Sequence, residues 1–125
     1  MKYKYFFILL FIINVSYGSL ESDLVSIPTF PYEENVWDCS DMSFYVRGQL
    51  ENLGYESWVV MKNGDPGHAW VVVITDTEII TIESTTMEIV PFRDDFDLVF
   101  EDVNEALNYG ISYDEVDWWN TVNYR

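Results

Sequence analysis

Apolar residues recur along the chain in two periods, and the change from one to the other divides it into elements. Met42, Val46, Leu50 and Leu53 are three or four residues apart, the spacing of one helix face. Asp38 stands ahead of them with Asp41 three residues on, a capping box with Asp in place of Glu. Gly54 sits where such a helix would stop, so the pattern predicts a helix over Asp38–Leu53 with Gly48 as a mild internal penalty. Three runs rich in β-branched and aromatic residues come next: Glu56–Met61, His68–Ile74 and Glu78–Ser84. They predict strands. Asn63-Gly64-Asp65-Pro66-Gly67 separates the first two with turn chemistry, and Thr75-Asp76 joins the last two as a tight hairpin. Helical spacing returns at Phe96, Phe100, Val103 and Leu107, which predicts a second amphipathic helix stopped by Gly110. Ser112 and Glu115 then cap a short final helix carrying Val116, Trp119 and Val122. A helix, a small antiparallel sheet and C-terminal helices define an α+β class, and no internal repeat interrupts it.

The first residues obey a different logic. Lys2 and Lys4 precede an apolar run from Tyr5 to Val15, and Ser16-Tyr17-Gly18 offers small residues at both cleavage positions, the layout of a secretory signal peptide over residues 1–18. An apolar run of about 11 residues falls short of the roughly 20 that a membrane span needs. The expected mature chain starts at Ser19 and is exported, to the extracellular space or the cell envelope. Ser19–Tyr32 contains Pro28 and Pro31 with little periodicity, which reads as an extended lead-in over residues 19–32. The domain proper is expected over residues 33–125.

Charge narrows the function classes. Six basic residues against 22 acidic ones give a net charge of −16, which argues against nucleic acid and against an anionic membrane surface as partners. Loss of Lys2 and Lys4 with the leader takes it to −18. At 49% hydrophobic and 18% aromatic residues, the composition is globular all the same. One cysteine makes no internal disulfide, and one cysteine with one histidine fills no zinc site without recruiting carboxylates. Asp94, Asp95, Asp97, Glu101 and Asp102 lack the alternate ligands and central Gly of a calcium loop and read as a solvated helix start. Trp118-Trp119, with Tyr113 and Tyr124 nearby, reads as closure of a small core. No phosphate-binding loop or nucleotide fingerprint is present, so no cofactor and no metal are expected.

The single cysteine falls in the first turn of the predicted first helix, where free N–H groups and the helix dipole favour a thiolate. Asp38 and Asp41 oppose this, so activation of Cys39 requires a partner such as a histidine. His68 opens the second strand, and Trp70 and Val72 share its face. With Thr75-Asp76 as the hairpin loop, Ile74 pairs Thr77 and His68 stands directly opposite Glu83. A loop two residues longer leaves the two on one face as diagonal neighbours, whereas a three-residue loop throws Glu83 to the other face. Cys at a helix start, His on a strand and Glu on its neighbour form a nucleophile, base and orienter for acyl transfer. The Cys39 backbone N–H is positioned to help hold an oxyanion, with Trp37 or Trp70 as candidate substrate or oxyanion side chains.

Asp38-Cys39-Ser40 opening a helix, Gly67-His68-Ala69-Trp70-Val71-Val72-Val73 on a strand and Ile82-Glu83-Ser84-Thr85 on the next resemble the transglutaminase-like superfamily. The resemblance covers Trp37 to Thr85 and implies a papain-like arrangement with Cys39 as nucleophile, His68 as base and Glu83 as orienter. Thr85 fills the family's Thr position, while Glu83 stands where the family usually has Asp. It further implies a cysteine peptidase or amidase acting on peptide, isopeptide or amide bonds, with a peptide or protein substrate that export would place in the cell envelope. The residues alone leave a second reading open, a catalytically silent secreted binding or structural domain of the same fold.

Overall fold

The structure is a computed structural model of the chain, and it describes residues 17–34, 37–64 and 67–110. Among them are three helices, α1 (Tyr17–Ser26), α2 (Cys39–Asn52) and α3 (Val103–Tyr109). Five strands, β1 (Glu56–Lys62), β2 (His68–Ile74), β3 (Ile79–Glu83), β4 (Glu88–Val90) and β5 (Leu98–Phe100), form one antiparallel sheet in the order β4-β3-β2-β1-β5. The class is α+β.

Helix α2 forms where its pattern predicts, and both ends show why. The Asp38 side chain accepts from the N–H groups of Ser40 and Asp41, and the Asp41 carboxylate accepts from the Asp38 N–H at 3.1 Å, a complete capping box. At the other end the N–H groups of Gly54 and Tyr55 donate to the carbonyls of Glu51 and Leu50, and Gly54 takes a φ of +94°. This is a Schellman stop that a residue with a Cβ adopts only under strain.

One face of the sheet, built from Val59, Met61, Ala69, Val71, Val73, Ile80 and Ile82, packs against the helices. Val46 and Leu50 of α2 and Leu20, Leu24 and Ile27 from α1 and its end fill one half of this core. Trp37, Met42, Phe44, Phe100, Val103 and Ala106 fill the other. Polar groups buried between α2 and the sheet are paired: Ser43 and Ser84 share a hydrogen bond of 2.6 Å, and Arg47 donates to the Ser57 carbonyl at 3.1 Å. The opposite face of the sheet carries Val60, Trp70 and Val72, flanked by Trp58, Ile74 and Phe96.

Three expectations need correction. Residues 19–26 are not an extended lead-in but most of helix α1, because Leu20, Leu24 and Ile27 recur at helical spacing and are at most 5% exposed against α2 and the sheet. The Tyr55 hydroxyl donates to Asp23 of this helix, and burial together with that hydrogen bond pushes the Tyr55 pKa up to about 12. Phe96 to Leu107 is not a single helix. The open edge of β1 recruits Leu98–Phe100 as a strand, with Val59 opposite Phe100, and Asp102 then caps α3 by accepting from the Glu105 N–H at 2.9 Å. Gly110 ends α3 at a φ of +118°. The hairpin between β2 and β3 turns through four residues, since Ile74 pairs Ile79. Thr75 accounts for the longer loop: its Oγ1 accepts from the N–H groups of Thr77 and Glu78 at 3.3 and 2.9 Å, closing a local turn. Strand β4 is an addition to the elements the pattern predicts. Of the expected leader over residues 1–18, residues 1–16 lie outside the described residues and Tyr17 and Gly18 open α1; the final helix with Trp118-Trp119 also lies outside them.

Candidate active site

Cys39 is the first residue of α2, held there by the Asp38 cap, with a free, half-buried thiol packed against the Trp37, Met42 and Ala69 end of the core. His68 is the first residue of β2 and Glu83 the last of β3. The four-residue hairpin preserves the parity that matters. With Val71 opposite Ile82, His68 and Glu83 lie on one face as diagonal neighbours. Their contact is direct, with His68 Nε2 and Glu83 Oε2 2.8 Å apart.

Each group in this series has its partners. The second carboxylate oxygen of Glu83, Oε1, accepts from the Thr85 hydroxyl at 2.9 Å and from the Thr85 N–H at 3.4 Å. Glu83 is thereby fixed from one side and offers its other oxygen to His68. The Cys39 thiol is close enough to the imidazole to act on its protonation. Because Glu83 occupies Nε2, Nδ1 is the nitrogen left for the sulfur.

These contacts set the electrostatics. The hydrogen bond with Cys39 and that with Glu83 outweigh burial and raise the His68 pKa from 6.5 to about 9. Burial pushes the Glu83 carboxyl up, but hydrogen bonds from His68 and Thr85 more than offset it, and its pKa is lowered. The charged form of the pair, imidazolium with carboxylate, is therefore favoured at neutral pH.

Trp37 is buried in an edge-to-face cluster, its ring 5.3 Å from that of Phe30 and 5.5 Å from that of Tyr45. Trp70 has no exposed surface and stacks on the His68 ring with centroids 5.7 Å apart and planes at 29°. The structure thus brings Cys39, His68, Glu83 and Trp70 together, and sets Trp37 in the aromatic layer behind the cysteine. Sequence reasoning missed Arg93, whose guanidinium lies 4.3 Å over the Trp70 ring. It sits in the irregular segment after β4, where no periodicity marks it. Among the described residues no group of three His, Cys, Asp or Glu side chains is placed to hold a metal ion, and no helix is long and apolar enough to cross a membrane.

Comparison of the chain with protein-family models, with curated proteins and with solved structures gave no match. The chemistry of the site accordingly rests on its geometry and on the sequence resemblance.

Proposed function

We propose that the chain is an exported, thiol-dependent acyl-transfer enzyme of transglutaminase-like type, acting chiefly as a peptidase or amidase on peptide, isopeptide or amide bonds of a protein or peptide substrate. The observation that supports this reading best is the hydrogen-bonded series His68, Glu83 and Thr85, with the Cys39 thiol beside the imidazole at the start of α2.

In the proposed cycle the Cys39 thiolate attacks the substrate carbonyl carbon, and the carbonyl π-electrons move to oxygen. The developing oxyanion is met by the Cys39 backbone N–H at the start of α2. His68, already protonated on the nitrogen that faces the sulfur, gives that proton to the leaving amine as the C–N bond breaks, and a thioester on Cys39 remains. Water then attacks the thioester and passes a proton to His68, and collapse releases the acid and restores the ion pair. An amine in place of water yields a new amide by the same steps. Glu83 keeps Nε2 protonated throughout, which leaves Nδ1 free to exchange the proton with sulfur and substrate.

Acylation by a nitrophenyl ester tests the reading without knowledge of the natural substrate. A burst of nitrophenolate with one acyl group on Cys39, found by peptide mass spectrometry and lost in His68→Ala, is the expected result. Acyl groups scattered over lysines, or on Cys39 at the same rate in His68→Ala, would favour the silent binding domain instead.

A further inference from the structure

Arg93 has no part in the proposed cycle, yet its side chain is held more firmly than its position after β4 suggests. Its backbone N–H donates to Thr81 Oγ1 at 3.3 Å, and its Nε and Nη2 donate to the two oxygens of Asp95 at 3.0 and 2.9 Å. Asp95 also accepts from Lys62 Nζ at 3.2 Å, and Lys62 is the strand partner of His68 in the β1–β2 register. The clamped guanidinium lies over Trp70, Trp70 lies against His68, and the Phe96 ring meets the Trp70 indole edge-on at 6.1 Å. The indole N–H of Trp70 is buried with no hydrogen-bond partner among the described residues. With no such bond to fix its angle, the plane of Trp70 is set by the groups that pack on it.

We infer that Arg93, clamped by Asp95, is a positioning residue that presses Trp70 against His68 and so fixes the imidazole plane in which one nitrogen meets Glu83 and the other meets Cys39. The inference rests on the proposed Cys39–His68 chemistry and adds to it a support that touches neither substrate nor sulfur. The cation is suited to this work in two ways. A guanidinium is attracted to the face of an indole and can lie flat on it, which a neutral side chain of similar length does not reproduce. Its charge also lies within electrostatic range of Glu83, which favours the guanidinium. The other charged or titratable groups around the pair are the Cys39 thiol from α2, Lys62 from β1, Glu88 opposite Glu83 on β4, and Asp95 itself.

The chain's single histidine gives one imidazole signal to track. The test measures the pH dependence of Cys39 alkylation by iodoacetamide and the His68 ring resonances by NMR. It compares the wild-type chain with Arg93→Met, Arg93→Lys, Asp95→Asn and His68→Ala. Arg93→Met is expected to slow alkylation near pH 6 by about three- to tenfold, the range of a partly desolvated cation–π contact. It is also expected to reduce the ring-current shift that Trp70 imposes on His68. Arg93→Lys restores part of both, and Asp95→Asn, an exposed change that leaves the packing intact, moves both in the same direction by less. An alkylation profile and a His68 shift unchanged in folded Arg93→Met, or in Asp95→Asn if Arg93→Met does not fold, overturn the inference while leaving the thiol chemistry standing. Alkylation that ignores His68→Ala removes the proposed function and this inference with it.

Discussion

Replacing Glu83 by Gln keeps the size of the side chain and removes its charge, and the two hydrogen-bonded sides of the carboxylate determine the consequence. Thr85 donates to one oxygen and His68 meets the other at 2.8 Å, so a carboxylate accepts on both sides. An amide cannot. With its oxygen toward Thr85, it presents NH2 to Nε2, which must then be unprotonated; the ring keeps a proton only on Nδ1, and the imidazole beside Cys39 is neutral instead of charged. With its oxygen toward His68, the NH2 faces the Thr85 N–H, donor against donor. Either orientation also loses a hydrogen bond to an ionised group, worth roughly 1.5–3 kcal/mol. At about 1.4 kcal/mol per decade this gives about a 10- to 100-fold effect. Because His68 is 31% and Glu83 21% exposed, solvent screening places the expectation at the lower end. The assay is the second-order rate of Cys39 alkylation near pH 6, with far-ultraviolet circular dichroism to show that the fold persists. A drop of about tenfold, with the His68 pKa falling from about 9 toward its ordinary 6.5, is expected. Equal rates in Glu83→Gln and wild type would refute the assignment of Glu83 as orienter.

Other parts of the fold carry three more expected outcomes. Leu24→Ala, at a position 2% exposed between α1 and the sheet, should cost about 2–5 kcal/mol in urea unfolding, and a loss below about 0.5 kcal/mol would mean that α1 is not part of the core. His68 has a folded pKa of about 9 against an ordinary 6.5, so its protonation stabilises the folded state fully below about pH 6.5 and the contribution fades as pH rises through 9. The stability difference between wild type and His68→Ala should therefore shrink between those limits, by at most about 2–3 kcal/mol, and a difference independent of pH would contradict the raised pKa. With a net charge of −16, the melting temperature should rise as salt goes from roughly 0.01 M to 1 M and the screening length falls from about 30 to 3 Å. A flat salt dependence would count against charge self-repulsion as a cost to this fold.

The parts of the molecule that were legible in the sequence are those whose signals are local. Asp38, Asp41 and Gly54 carry the start and stop of α2 in their own side chains and backbone freedom, and Val71 to Val73 could only be strand. The His68–Glu83 contact was legible because strand parity survives an error of two residues in loop length; the hairpin has four loop residues rather than two, and both side chains still share a face. What escaped depended on distant partners. Helix α1 gains its stability from Val46, Leu50, Val71 and Ile82, which no window around Leu20 contains. Phe96, Phe100, Val103 and Leu107 have true helical spacing, but the free edge of β1 pairs Leu98–Phe100 as a strand and only the part after Asp102 is helical. Arg93 was unreadable for the same reason, since its meaning comes from Trp70 and Asp95 meeting it in space.

The central claim is that His68 makes a nucleophile of Cys39, and the measurement that bears on it most directly is the pH profile of Cys39 alkylation in wild type and His68→Ala. The account predicts fast labelling of the wild-type chain well below an ordinary thiol pKa of about 8.5, and in His68→Ala a return to slow labelling that rises only near that value. Profiles that coincide, both with the midpoint of an unassisted thiol, would contradict it and leave Cys39 an ordinary residue at the start of a helix.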